Sequence, residues 1–166
     1  MDSAKSCAFT GHRPEKLPWG TREEDLRCLA LKARLLREID QAYLLGCRHF
    51  LTGMARGTDT YFGEAVVHYR NTHPDVTLEA AIPYIGQSQR WTRAEQIRYQ
   101  SLVAKCDFET VIQHHYDRGC MQRRNRYLVD HAVRLIAVYD GMGKSGTLYT
   151  LTYALKQGRD VVIIDC

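Results

Sequence analysis

The feature that most constrains this chain is an alternation. Six short runs rich in apolar and β-branched residues (6–10, 49–52, 77–82, 108–113, 134–139 and 160–164) are separated by stretches with helical periodicity. Runs this short suit strands, and strands joined by helix-length crossovers pair in parallel. Residues 135–139 are apolar on both parities, as a strand covered on both faces requires. The pattern predicts an α/β, Rossmann-like, doubly wound and mainly parallel sheet with helices on both faces, formed by residues 1–166 as one domain.

Between the runs, Thr21-x-x-Glu24 has the form of a capping box. Leu26, Leu29, Ala30, Ala33, Leu36, Ile39 and Tyr43 then recur at helical spacing up to Gly46, which is placed to end the longest helix. Phe62, Ala65, Val66 and Tyr69 mark the apolar side of a second helix. Ser88 is placed to cap a third that reaches Lys105 and carries Trp91, Ala94, Ile97 and Leu102. Residues 122–131 and 147–157 read as the last two.

Composition narrows the function classes. With 45% hydrophobic and 25% charged residues the chain suits a globular protein, and no apolar run approaches a membrane span or a signal peptide, so a cytoplasmic location is expected. Cys7, Cys28, Cys47, Cys106, Cys120 and Cys166 show no C-x-x-C spacing and read as reduced thiols. His114-His115 lacks a third ligand at metal-binding spacing, so no metal is expected. The formal net charge of +4 permits an acidic ligand without demanding nucleic acid. Arg118, Arg123, Arg124 and Arg126 form a local basic cluster that reads equally as a solvated helix face or an anion site.

Polar loops at the carboxyl ends of parallel strands lie where open α/β sheets bind ligands. Gly11, His12 and Arg13 follow the first strand; Gly53, Met54, Ala55, Gly57 and Asp59 follow the second. After the fifth come Asp140, Gly141, Gly143, Lys144, Ser145, Gly146 and Thr147, a glycine turn leading into a helix start. Unpaired N–H groups, a favourable dipole and a neighbouring lysine suit an anionic oxygen there. The spacing Gly141 to Gly146 also reads G-x-G-x-x-G, but that fingerprint normally opens the first β-α-β unit. A Walker A loop ending at Ser145 would need glycine where Val138 stands.

The segments Phe9-Thr10-Gly11-His12-Arg13-Pro14, Thr52-Gly53-Met54-Ala55-x-Gly57-x-Asp59, Arg124-Asn125-x-x-Leu128-Val129-Asp130 and Tyr139-Asp140-Gly141 with Gly146-Thr147 resemble the YpsA-type family of the SLOG superfamily. The resemblance spans nearly the whole chain in order. It implies a Rossmann-like fold and a pocket for a nucleotide or an ADP-ribose- or NAD-like ligand, with no cofactor indicated. Related LOG-type proteins are phosphoribohydrolases, and DprA-type proteins bind single-stranded DNA. In the LOG pattern the catalytic glutamate falls on Thr150, and the basic pair falls on Arg124 and Asn125. A hydroxyl does not replace a carboxylate as general acid or base near neutral pH.

Three readings follow. In the preferred one a sensory or regulatory domain cradles a nucleotide's phosphate at the glycine turns, with Thr147, Arg124, Asn125, Lys144 and Ser145 as contacts. Tyr84, Gln89 and Trp91 then offer stacking and amide hydrogen bonds to a base. In the second, a nucleotide hydrolase, Glu64 or Asp140 activates water. In the third, least favoured at this net charge, the arginine cluster with Tyr99, Tyr116 and Tyr127 binds single-stranded nucleic acid. The oligomeric state stays open, a homodimer included.

Overall fold

The computed structural model describes residues 2–166. Strands β1 (Ser6–Gly11), β2 (His49–Thr52), β3 (Thr77–Ile82), β4 (Phe108–Val111), β5 (Arg134–Val138) and β6 (Asp160–Ile164) form one sheet in the order β4-β3-β2-β1-β5-β6. Every neighbouring pair is parallel. The chain winds outward from β1 to β4, then returns to start β5 on the other side of β1. Such a reversal opens a crevice beyond the carboxyl ends of the two strands that flank it, here β1 and β5.

Helices α1 (Leu26–Leu44) and α2 (Thr58–Tyr69) cover one face, with α3 (Arg93–Lys105) packed on α2; α4 (Cys120–Asp130) and α5 (Gly146–Lys156) pair on the other. Phe9, Phe50, Leu78, Ala80 and Ile136 point into the first layer with Leu35, Ile39, Phe62 and the loop residue Trp19. Ala8, Leu51, Ala81 and Leu135 point into the second with Leu128, Val129 and Ala154. The opposite parity of neighbouring residues is why the central strands read as apolar throughout.

The structure corrects the expected helix starts. Helix α1 begins five residues after Thr21, with Asp25 as N-cap accepting the Arg27 N–H. Its buried stripe is Cys28, Leu31, Leu35, Ile39 and Ala42, while Leu26 is 81% and Leu29 49% exposed. Of the expected stripe only Ile39 is buried: Leu26, Leu29, Ala30 and Ala33 are exposed and Leu36 and Tyr43 half-buried, because the helix packs on the sheet through the neighbouring face that carries Cys28, Leu31, Leu35 and Ala42. Ser88 lies in a turn; α3 is capped by Thr92, whose side chain accepts the Glu95 N–H while Glu95 accepts the Thr92 N–H. The reciprocal pair satisfies two orphan donors where Ser88 would satisfy one. Helix α4 starts at Cys120, two residues before the expected position, and β4 ends at Val111, two residues earlier.

Two loops meet beside the crevice. Gly57 has φ 83° and ψ −125°, a conformation open to glycine, and a Cβ there would fall 2.9 Å from Pro14 Cδ and 3.0 Å from the His12 carbonyl oxygen. Thr58 fastens the same contact through its N–H and hydroxyl, both donating to the His12 carbonyl. Among the described residues no helix is long and apolar enough to cross a membrane.

Candidate functional site

The crevice holds a cavity of about 450 Å³. Gly11, His12 and Arg13 from the β1 loop, Ala55 and Asp59 from the β2 loop, Arg124 and Asn125 from α4, and Lys144, Ser145, Gly146 and Thr147 from the start of α5 line it. The four segments are far apart in sequence, and the sheet reversal brings them together.

Arg124 is the central cation. It is 4% exposed, and its guanidinium donates to the Gly53 carbonyl oxygen and to Asn125 Oδ1, the latter at 2.9 Å. A Cβ on Gly53 would overlap the guanidinium, so Gly53 is glycine because an arginine lies across it. Burial pushes the Arg124 pKa down from its ordinary value, opposed by the carboxylate of Asp59. Burial pushes Asp59 up, opposed by Arg124 and by the Ala55 N–H that donates to it at 3.0 Å. The cavity wall carries Arg13, Lys16, Arg124 and Lys144 against Glu15 and Asp59. None of these four cations forms an ion pair among the described residues. The wall therefore carries four cations against two carboxylates, an excess of positive charge.

The start of α5 supplies neutral donors. Ser145 is the N-cap and accepts the Leu148 N–H at 3.1 Å, which leaves the Gly146 and Thr147 N–H groups without intrahelical acceptors. Asn125 Nδ2 lies 3.9 Å from where a Cβ on Gly146 would sit, so its amide borders the same space.

Behind this wall runs a polar chain. His12, 2% exposed, places Nε2 3.0 Å from Asp140 Oδ1 and Nδ1 3.3 Å from Thr147 Oγ1. The Asp140 N–H also approaches Nε2, at 3.3 Å. The shorter carboxylate contact favours the tautomer in which Nε2–H donates to Asp140 and Nδ1 accepts the Thr147 hydroxyl. The Met142 N–H and then His12 hold the Asp140 pKa below the usual carboxylate value.

The remaining sequence candidates lie elsewhere. Glu64 takes two 2.7 Å hydrogen bonds from Arg98 at the α2–α3 contact, away from the cavity. Thr150, where the LOG pattern has its glutamate, is fully buried and donates to the Gly146 carbonyl oxygen at 2.8 Å. Tyr84 packs edge-on against Tyr116, Gln89 is exposed, and Trp91 meets Tyr99 beside a neighbouring cavity. Met54 and Gly57 shape the β2 loop, Met54 with φ 59°, and Gly141 forms the exposed turn. Arg124 is set apart from Arg118, Arg123 and Arg126, which are exposed. Sequence reading did not single out Phe9, Thr10, Glu15, Lys16, Met121 and Leu128 as site residues of the wall; the adjacency of Glu15 and Lys16 to the Gly11–Pro14 loop was the available signal. Among the described residues no group of three or more His, Cys, Asp or Glu side chains is arranged to hold a metal ion.

Comparison with known proteins agrees with this architecture. The profile of the YspA SLOG family (YpsA) matches residues 7–163. The SPbeta prophage-derived protein YoqJ of Bacillus subtilis is 31% identical over 142 residues, covering 77% of this chain and 82% of that protein. The UPF0398 protein YpsA of Bacillus subtilis is 24% identical over 160 residues, covering 92% and 86%. Among solved structures, DNA processing protein A (DprA) from Streptococcus pneumoniae superposes with a TM-score of 0.63 at 17% identity, over 98% of this chain and 51% of that one. This chain thus spans about half of DprA, and the likeness is one of fold.

Proposed function

Because the chain belongs to the YspA SLOG family, we propose that it binds a nucleotide or nucleotide-derived ligand, phosphate first, in the cavity between the β1 and β5 loops, in a sensory or regulatory role. One observation carries the reading: a buried guanidinium without a bound carboxylate and a helix start with free N–H groups face the same cavity. Charge-assisted hydrogen bonds to phosphate oxygens compensate both. AMP, ADP-ribose and NAD at millimolar concentration are the probes. Occupancy at about 100 times Kd raises unfolding free energy by about 2.7 kcal/mol. Arg124→Ala is expected to lose about 1.5–3 kcal/mol of binding. It also lowers stability, since the Gly53 carbonyl keeps only the Gln87 amide as a side-chain donor. Absence of a thermal shift with every probe, or unchanged affinity of Arg124→Ala in calorimetry, would overturn the reading.

The Asp140–His12–Thr147 chain favours a second reading, turnover of the bound nucleotide. In the tautomer described, His12 Nδ1 accepts from the hydroxyl of the wall residue Thr147, with Asp140 orienting the ring. The reading predicts release of base from AMP on chromatography, reduced at least about tenfold in Asp140→Asn. Turnover that Asp140→Asn leaves unchanged would remove Asp140 from it. This reading uses Asp140 and not Glu64, whose carboxylate is engaged by Arg98.

A further inference from the structure

A second cavity, of about 300 Å³, lies on the far side of the contact between Pro14 and Gly57. Consecutive residues of the same two loops line the pair of cavities: Glu15 and Ala55 face the first, Pro14 and Arg56 the second. The wall between them is one residue thick. It is crossed at the surface by the 2.5 Å ion pair of Arg56 with Glu15, whose side chain is 61% exposed.

The two cavities differ in chemistry. The walls of the second include three aromatic rings, Tyr61, Trp91 and Tyr99, with Trp91 edge-on to Tyr99 at 5.4 Å between centroids. Trp91 directly precedes the N-cap Thr92, so the capping box that fixes the start of α3 also fixes the tryptophan. Glu95 of that box turns its other oxygen to Arg56 at 3.3 Å. The cavity's two arginines are both neutralised in place: Arg98 by Glu23 and Glu64, Arg56 by Glu15 and Glu95. An anion gains little in such a site. A neutral planar group with a hydrogen-bonding edge gains stacking area and finds both donors and acceptors.

We propose that the second cavity receives the base of a nucleotide whose phosphates occupy the first, the molecule passing over the Glu15–Arg56 bridge. The ligand class is then a base-bearing nucleotide such as an ADP-ribose-type molecule, and a sugar phosphate fills only half the site. This rests on the phosphate reading of the first cavity.

The test uses ribose 5-phosphate, AMP and ADP-ribose with the parent chain, Trp91→Ala and Arg124→Ala, read by calorimetry and by tryptophan emission. The chain has two tryptophans, and Trp19 is 2% exposed, so quenching by a stacked base reports Trp91. Trp91 belongs to neither core cluster, so its removal spares the fold. Expected are quenching of the parent by ADP-ribose or AMP but not by ribose 5-phosphate, and a loss of ADP-ribose affinity in Trp91→Ala of about tenfold or more, the size of one base–aromatic stack. Affinity for ribose 5-phosphate stays within about twofold in Trp91→Ala and falls in Arg124→Ala. Equal parent affinity for all three compounds, quenching that survives in Trp91→Ala, or unchanged ADP-ribose affinity in that variant would overturn the base site and leave the phosphate reading standing. If the parent binds none of the compounds, both fall.

Discussion

Gly146→Val is expected to weaken binding of AMP or ADP-ribose by about tenfold or more while leaving the fold in place. The site is unusual among the chain's glycines. Gly146 is the first residue of α5 and is not among the positive-φ positions, and a Cβ built there meets only Asn125 Nδ2, at the ordinary contact distance of 3.9 Å. A valine side chain therefore enters the cavity instead of the protein. Helix propensity favours valine over glycine, so stability changes by less than about 1 kcal/mol. Circular dichroism and urea unfolding check the fold, and calorimetry checks the affinity. The contrast is Gly57, where a Cβ meets backbone and any loss of binding would follow from displaced loops. Parent-like affinity in Gly146→Val would show that the start of α5 is not the phosphate wall.

The largest effect on stability is expected at Glu79, outside the candidate site. Its carboxylate is buried under α4 and accepts from His49 Nε2 at 2.6 Å, from the Tyr127 hydroxyl at 2.5 Å and from the Thr110 hydroxyl at 2.8 Å. Burial by itself raises the Glu79 pKa; the hydrogen bonds from His49, Tyr127 and Thr110 outweigh it and hold the value at about 2. Removing one partner of a buried network strands the others, so Glu79→Ala should cost about 3–5 kcal/mol in urea unfolding. The pH dependence has a definite sign. A folded pKa below the unfolded one stabilises fully above the unfolded value near 4.3, and that contribution disappears as pH falls toward 2. For a carboxylate held at about 2 that contribution is about 2–3 kcal/mol. Glu79→Gln should lose correspondingly less stability than the parent between pH 5 and about 2. Parallel pH profiles for the two proteins would show that Glu79 carries no linked proton.

The fold and the site were legible to different depths. β2, β3 and β6 fall where local pattern places them, and the other strands differ by one or two residues at their ends. A run of apolar residues on both parities has few other ways to be buried. The loops after β1, β2 and β5 were identifiable as neighbours in space for a similar reason: glycine and polar residues at strand ends follow from chain geometry, and the parallel topology sends those ends to one side, where they line one cavity. Helix starts were less legible, because Thr21, Asp25, Ser88 and Thr92 are all competent caps and packing selects among them.

What local sequence does not encode is which partner a charged side chain meets. Arg124 and its neighbours Arg123 and Arg126 have the same local chemistry, yet Arg124 alone of the three is buried, because the turn of α4 aims it across Gly53, 71 residues away. Glu64, read from sequence as a candidate general base, meets Arg98, 34 residues on, with both of its oxygens. Trp91, read from sequence as a base-stacking residue of the same site as the glycine turns, stands in a separate cavity whose arginines are already neutralised. Sequence by itself determined the strands, the glycine turns and the side of the sheet that holds the candidate site, because these follow from periodicity and backbone conformation. The tertiary structure alone decided which charges remain free and which cancel, because a charge's energy depends on what packs against it, and here those partners come from distant segments.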